Sequence, residues 1–272
     1  MYRMITAIAL LFAASFGGGL FSGGAFNAKA QSDPSTILIT GSNRGIGFEF
    51  ARQYAAKGWK VIATCRNPES ADDLKALAAD YPNVVIEQLD VLDHNMIDAL
   101  AVKYEDQPID ILLNNAGING GVNNQTFGNL KYDVYKRVLA TNTVGPLKMS
   151  EAFVNHIAAS TKKKIVAISS RSGSIATVGG REFFYFYRPS KAALNMTMRL
   201  LSKEIADRGI IVGLINPDMV ATDMLAGVDP ATSSLPIYTP EESVSGMIRV
   251  IDNLNPENSG DFLNHTGEEI PW

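Results

Sequence analysis

Ile37-Leu38-Ile39-Thr40-Gly41-Ser42-Asn43-Arg44-Gly45-Ile46-Gly47 runs from an aliphatic stretch through three glycines into a helical pattern. The leading Ile-Leu-Ile suits a strand buried on both faces. Glycines at 41, 45 and 47 allow a tight turn, close approach of the backbone to a phosphate, and close packing of the following helix on the strand. Unpaired N–H groups and the dipole at that helix start favour an anion, so Gly41, Ser42, Asn43, Arg44, Gly45, Ile46 and Gly47 read as a seat for a dinucleotide pyrophosphate. An ordinary glycine-rich turn is the bland alternative. The spacing is G-x-x-x-G-x-G, a departure from the G-x-G-x-x-G form.

Outward from this turn, short β-branched runs alternate with helical periodicity, as βα units on a parallel sheet require. Strands are expected near 36–40, 60–64, 84–88, 109–113, 164–169, 210–215 and 260–263, with helices near 45–57, 69–79, 94–104, 131–159, 188–207 and 240–253. Runs such as Ile111-Leu112-Leu113 and Ile165-Val166-Ala167-Ile168 suit strands covered on both faces. The expected fold is α/β, a doubly wound parallel sheet of the Rossmann type in a single domain. At 272 residues, 46% apolar and 19% charged, the chain can bury one large core. A net charge of -4 gives no general basic field for nucleic acid. One cysteine, Cys65, and three scattered histidines, His94, His156 and His265, build no thiolate site or ligand pair, so no metal is expected.

The first thirty residues differ in kind. Arg3, the apolar run Met4 to Phe16, a Gly-rich stretch and Ala28-Lys29-Ala30 follow the order of an export signal with a small-residue cleavage site. The run is shorter than the ~20 residues that span a bilayer, so residues 1–30 are expected to be removed and 31–272 to form the folded domain. Export to a periplasm or the exterior follows if cleavage occurs, with no stable membrane span afterwards. An uncleaved tether and a mis-assigned start that leaves the protein cytoplasmic stay open.

Thr40-Gly41-x-x-x-Gly45-Ile46-Gly47 resembles the short-chain dehydrogenase/reductase family, and that family's other marks follow in order. They are Asn114-Asn115-Ala116-Gly117 after the fourth strand, Asn142 in the long helix, Ser170 at the end of the fifth strand, and Tyr187-Arg-Pro-Ser-Lys191 at the next helix start. The ending Gly260 to Trp272 resembles the C-factor and sniffer-type carbonyl reductase branch. The resemblance implies a catalytic set of Asn142, Ser170, Tyr187 and Lys191. In it Tyr187 exchanges a proton with a carbonyl or alcohol oxygen, Ser170 bonds that oxygen, Lys191 bonds the nicotinamide ribose, and Asn142 holds a relay water. It also implies cofactor contacts at Asp90 and Val91, at Asn115, Ala116 and Gly117, and at Pro217, Val220 and Thr222. A free tyrosine has a pKa of about 10, and Lys191, four residues on along the same helix face, is positioned to favour the phenolate. A non-catalytic NADP-binding regulator on the same fold is the rival reading, against which the intact set argues. His156 and His265 read as surface or packing residues.

Two positions depart from the family pattern. Asp218 stands where Pro-Gly is usual, which puts the turn after Pro217 in doubt, and Pro189 replaces the small residue before Ser-Lys. Pro in a first helical turn is tolerated.

An acidic residue at the end of the second strand bonds the ribose 2'-OH of NAD, whereas arginine accommodates a 2'-phosphate. Here Cys65 takes the acid's place, Arg66 follows it and Arg44 sits in the turn, a set that points to NADP(H). Phe183, Phe184 and Phe186, with segments 171–186 and 218–239, favour an apolar small-molecule carbonyl or alcohol substrate without naming it. A homo-oligomer is left open.

Overall fold

The structure, a computed structural model, describes residues 34–179, 184–225 and 236–272. The expected export segment, Phe183 and residues 226–235 of the expected substrate loops lie outside the described residues. Seven strands form one parallel sheet: β1 Thr36–Thr40, β2 Lys60–Cys65, β3 Val84–Gln88, β4 Ile111–Asn114, β5 Lys164–Ile168, β6 Ile211–Asn216 and β7 Phe262–Asn264. Their order is β3-β2-β1-β4-β5-β6-β7. The chain moves outward from β1 to β3 and then returns to β1's other side at β4. The connections leaving β1 and β4 therefore diverge, and a crevice opens at the carboxyl ends of these strands.

The helices are α1 Gly45–Ala56, α2 Asp72–Asp80, α3 His94–Lys103, α4 Tyr132–Leu139, α5 Gly145–Ala158, α6 Tyr187–Glu204 and α7 Pro240–Asn253. Successive β1 residues point to opposite faces. Ile37 and Ile39 belong to a core with Phe50 and Tyr54 of α1 and Met247 and Ile251 of α7. Leu38 belongs to the other core, with Ile97 of α3, Phe153 of α5 and Met198 of α6. Both faces of the strand are thus covered, which is why it carries no polar alternation. Among the described residues no helix is long and apolar enough to cross a membrane.

The helix expected over 131–159 runs from 132 to 158 but is not α-helical throughout. Between α4 and α5 the chain makes a wider π-helical turn at Ala140–Val144. Pro146, in the first turn of α5, has no N–H to return to a carbonyl four residues back, so the regular ladder lapses there. Side chains take up the slack: Thr143 Oγ1 donates to Ser190 O at 2.9 Å, and Asn142 turns fully inward. The other expected elements lie within a few residues of their places, with α2 preceded by a short 3-10 turn at Pro68–Ser70.

Candidate active site

The glycine turn is closed by its neighbours. Gly41 and Gly45 have φ of 70° and 55°, left-handed values that glycine adopts without strain. A Cβ on Gly47 would lie 2.1 Å from Gly41 O and 2.4 Å from Asn115 Nδ2, so only glycine fits. Asn115 Nδ2 donates to Thr40 O and Gly41 O at 2.9 and 3.1 Å, and Thr40 Oγ1 accepts the N–H groups of Asn115 and Ala116 at 3.0 Å each. These bonds stitch the end of β4 to the turn after β1 and leave Ala116 and Gly117 along the crevice. Ser42 is buried, its hydroxyl donating to Ile39 O, so its side chain braces the turn from within.

Ser170 and Tyr187 come together at the carboxyl end of β5, with the serine hydroxyl close enough to act on the tyrosine's. Ser170 Oγ also accepts from Ser172 N at 3.2 Å, which fixes the serine at the start of a 3-10 turn. Lys191 is buried, donates to Ile168 O at 2.8 Å and lies 5.8 Å above the Tyr187 ring. Burial lowers the Lys191 ammonium to about 8, because desolvation penalises its charged form. The tyrosine departs from expectation. Burial pushes Tyr187 above the usual phenol value, with the Ser170 bond partly opposing it, so the group rests as a proton donor.

Asn142 Oδ1 accepts from Ile118 N at 2.9 Å, while Nδ2 donates to Ile118 O at 2.9 Å and Ser190 Oγ at 3.0 Å. The side chain expected to hold a water therefore clamps the loop after β4, and one Oδ1 lone pair is left over. A Cβ on Gly117 would fall 3.4 Å from Asn142 Oδ1 and 3.8 Å from Lys191 Nζ. The space beside Gly117 thus lies between those two groups.

At the adenosine end, Arg66 is exposed directly after β2, and Cys65 is buried with its thiol pushed up by desolvation. Asp90 Oδ1 accepts from Leu92 N at 3.0 Å, and Val91 packs against Gly145. Arg44 behaves differently from its expected partner Arg66. Its guanidinium pairs with Asp223 at 3.3 Å, both largely in solvent, and so is drawn toward the loop after β6.

That loop brings Thr222 to the glycine turn, since a Cβ on Gly45 would lie 3.3 Å from Thr222 Cγ2. Val220 is buried, and Met219–Val220 pairs with Ile237–Tyr238 in a two-residue ladder that the sequence did not signal. Pro217 O accepts from Ser243 Oγ at 2.7 Å. Asp218 keeps the turn that its presence put in doubt. At φ 59° it takes the left-handed shape a glycine would supply. Its carboxylate accepts Asn216 Nδ2 at 2.8 Å and Asn264 Nδ2 at 2.9 Å, with His265 Nδ1 3.4 Å and Arg171 Nε 3.7 Å away. His265, read as a surface or packing residue, is buried in this cluster and edge-on to Tyr238. Asp218→Ala should cost about 1–3 kcal/mol, chiefly from buried amides left without their acceptor. Denaturant unfolding measures this, and a loss below about 0.5 kcal/mol would show that the cluster does not hold the turn.

A short chain dehydrogenase family profile matches residues 35–232, and this chain belongs to that family. C-signal of Myxococcus xanthus is 40% identical over 167 residues, which are 61% of this chain and 93% of that protein. Among solved structures, the NADPH-bound carbonyl reductase from chicken fatty liver superposes with a TM-score of 0.80 at 35% identity, covering 88% of this chain and 99% of its own. The carbonyl reductase Sniffer of Drosophila melanogaster gives 0.77 at 27% identity, covering 88% and 100%. The expected family, its parallel sheet and the carbonyl reductase branch are thus borne out.

Proposed function

We propose that this chain is an NADP(H)-dependent carbonyl reductase that interconverts a carbonyl and an alcohol, with Tyr187 as the acid and base. The reading rests on one observation above all: the buried Lys191 stands 5.8 Å over the Tyr187 ring, with the Ser170 hydroxyl beside that tyrosine at the crevice. The fit for a dinucleotide is structural, since Gly47 leaves no room even for a Cβ and keeps the helix start close to the turn. The chicken reductase's bound NADPH supports the same choice here. Residues 41–47 would hold the pyrophosphate, Asp90 and Val91 the adenine, Arg66 the 2'-phosphate, and Lys191 the nicotinamide ribose. Ala116, Gly117, Pro217, Val220 and Thr222 would line the nicotinamide.

When bound, the reduced cofactor supplies the hydride to the carbonyl carbon. Ser170 donates to the carbonyl oxygen and holds it against Tyr187. Tyr187 passes its phenolic proton to that oxygen as negative charge grows there. The Lys191 ammonium lowers the cost of the phenolate left behind. Asn142 holds Ile118 beside Lys191, next to the space from which a water returns the proton.

Arg66 carries the cofactor choice. A guanidinium grips a phosphate through charge-assisted bonds that contribute ~1.5–3 kcal/mol, so Arg66→Ala should weaken NADPH by about ten- to a hundredfold and leave NADH nearly unchanged. Adding Cys65→Asp should bring NADH ahead, because a carboxylate repels the 2'-phosphate and accepts from a 2'-OH. The measurement is kcat/KM with both cofactors over a panel of aldehydes, ketones and quinones. A parent that already prefers NADH, or equal losses for both cofactors, would defeat the assignment. NADPH binding without turnover on any carbonyl would favour the regulatory reading.

A further inference from the structure

We infer that Gln125, a side chain outside the expected catalytic set, is a positioning residue that locks Tyr187 to the loop following β4. The inference rests on the proposed role of Tyr187. Gln125 is wholly buried. Its Oε1 accepts from Phe186 N at 2.9 Å and Tyr187 N at 3.2 Å, and its Nε2 donates to Asn119 O at 2.6 Å and Gly121 O at 3.1 Å. Both amide hydrogens and two acceptor sites are used, so the side chain is fully satisfied.

The first N–H groups of a helix have no partner within it. In α6 those donors include Tyr187's own, and Phe186, at the cap position, offers no side-chain bond. Gln125 supplies the missing acceptor from 61 and 62 residues away in sequence. The carbonyl of Tyr187 is held as well, by Ser190 Oγ at 2.7 Å, and Ser190 is in turn held by Asn142. Asn142 clamps Ile118, and Gln125 clamps Asn119 and Gly121. The peptide groups on both sides of Tyr187 thus lead back to one short segment, residues 118–125.

A proton transfer tolerates little error in the donor's place, and a shift of about 1 Å costs roughly a hundredfold in rate. A neutral amide is required here. A carboxylate would keep the bonds to the helix N–H groups but would face the Asn119 and Gly121 carbonyls without a donor.

That asymmetry supplies the test. Gln125→Met has similar length and none of the four bonds; Gln125→Glu keeps the acceptor and regains a donor only when protonated. With NADPH and a carbonyl the parent reduces, Gln125→Met should lower kcat by ten- to a hundredfold while the Kd for NADPH, read from cofactor fluorescence, stays within twofold. Gln125→Glu should recover part of that kcat and, relative to the parent at the same pH, more of it as pH falls, with the folded fraction read by circular dichroism constant over that range. The inference is overturned by a kcat for Gln125→Met within twofold of the parent. It is overturned equally by a fall in NADPH affinity that matches the fall in kcat, by loss of NADPH binding altogether, or by a Gln125→Glu rate that does not rise relative to the parent's as pH falls. A parent that binds NADPH yet reduces no carbonyl sinks the functional reading along with this one, whereas an active parent with an indifferent Gln125 sinks this one alone.

Discussion

Tyr187→Phe should reduce carbonyl turnover by about a thousandfold or more while the Kd for NADPH stays within roughly twofold of the parent. The substitution removes one oxygen and keeps the ring. The ring's neighbours are Phe184, edge-on at 6.2 Å, and the Lys191 ammonium above its face, and both contacts survive the change. What disappears is the hydroxyl that meets Ser170, the group assigned to protonate the substrate oxygen. Ser170 alone can bond that oxygen but is a far weaker acid, so the barrier rises at the chemical step and not at binding. Single-turnover mixing of the NADPH complex with a carbonyl isolates that step. Activity within tenfold of the parent would remove Tyr187 from its role.

The second large effect is steric. Gly47→Ala should weaken NADPH binding by at least a hundredfold, because the new Cβ would stand 2.1 Å from Gly41 O and 2.4 Å from Asn115 Nδ2. Neither atom can yield cheaply. Gly41 O belongs to the turn backbone, and Asn115 Nδ2 is fixed by its bonds to Thr40 and Gly41. Relief must come from moving α1 off β1, which opens the cradle where phosphate would meet the helix start. Gly58→Ala is the matched control. Gly58 has φ 78° with no atom within 4 Å of an added Cβ, so it bears only left-handed strain of about 1–2 kcal/mol and should leave the cofactor site intact. Calorimetric titration of both variants with NADPH decides the matter, and Gly47→Ala binding within fivefold of the parent would show that the turn relaxes without harm.

Much of this architecture could be read from local pattern. Parallel strands buried on both faces announce themselves as unbroken aliphatic runs, and the glycine turn states its backbone demands residue by residue. Tyr187, Lys191 and Ser170 were legible through the family resemblance, with which the helical spacing of the first two and the strand-end place of the third agree. The parts that escaped depend on distant partners. Gln125 gives no local sign of capping α6, since its acceptor sites are filled by N–H groups some sixty residues later. Arg44 reads as a phosphate contact, and nothing local shows that Asp223, 179 residues on, also lies beside it. Asp218 looked like a fault in a turn because Asn264 and His265, which face its carboxylate, arrive with the last strand. The break at 140–144 did carry a local signal in Pro146, but helical periodicity on both sides of it outweighed one residue.

That wider turn also limits what an engineer could do with the domain. Each α-helical residue rotates the chain by about 100°, and a wider turn takes up part of that rotation, so tightening 140–144 into plain α-helix with every residue kept would turn everything beyond it by a large part of that angle. If Met149, Phe153 and Ile157 kept their places in the core, Asn142 would swing out of the interior and release Ile118. If Asn142 stayed, the core face of α5 would turn toward solvent. The helix can have a regular backbone or serve both its ends, and an idealised redesign chosen for stability alone would delete the clamp without changing a single site residue.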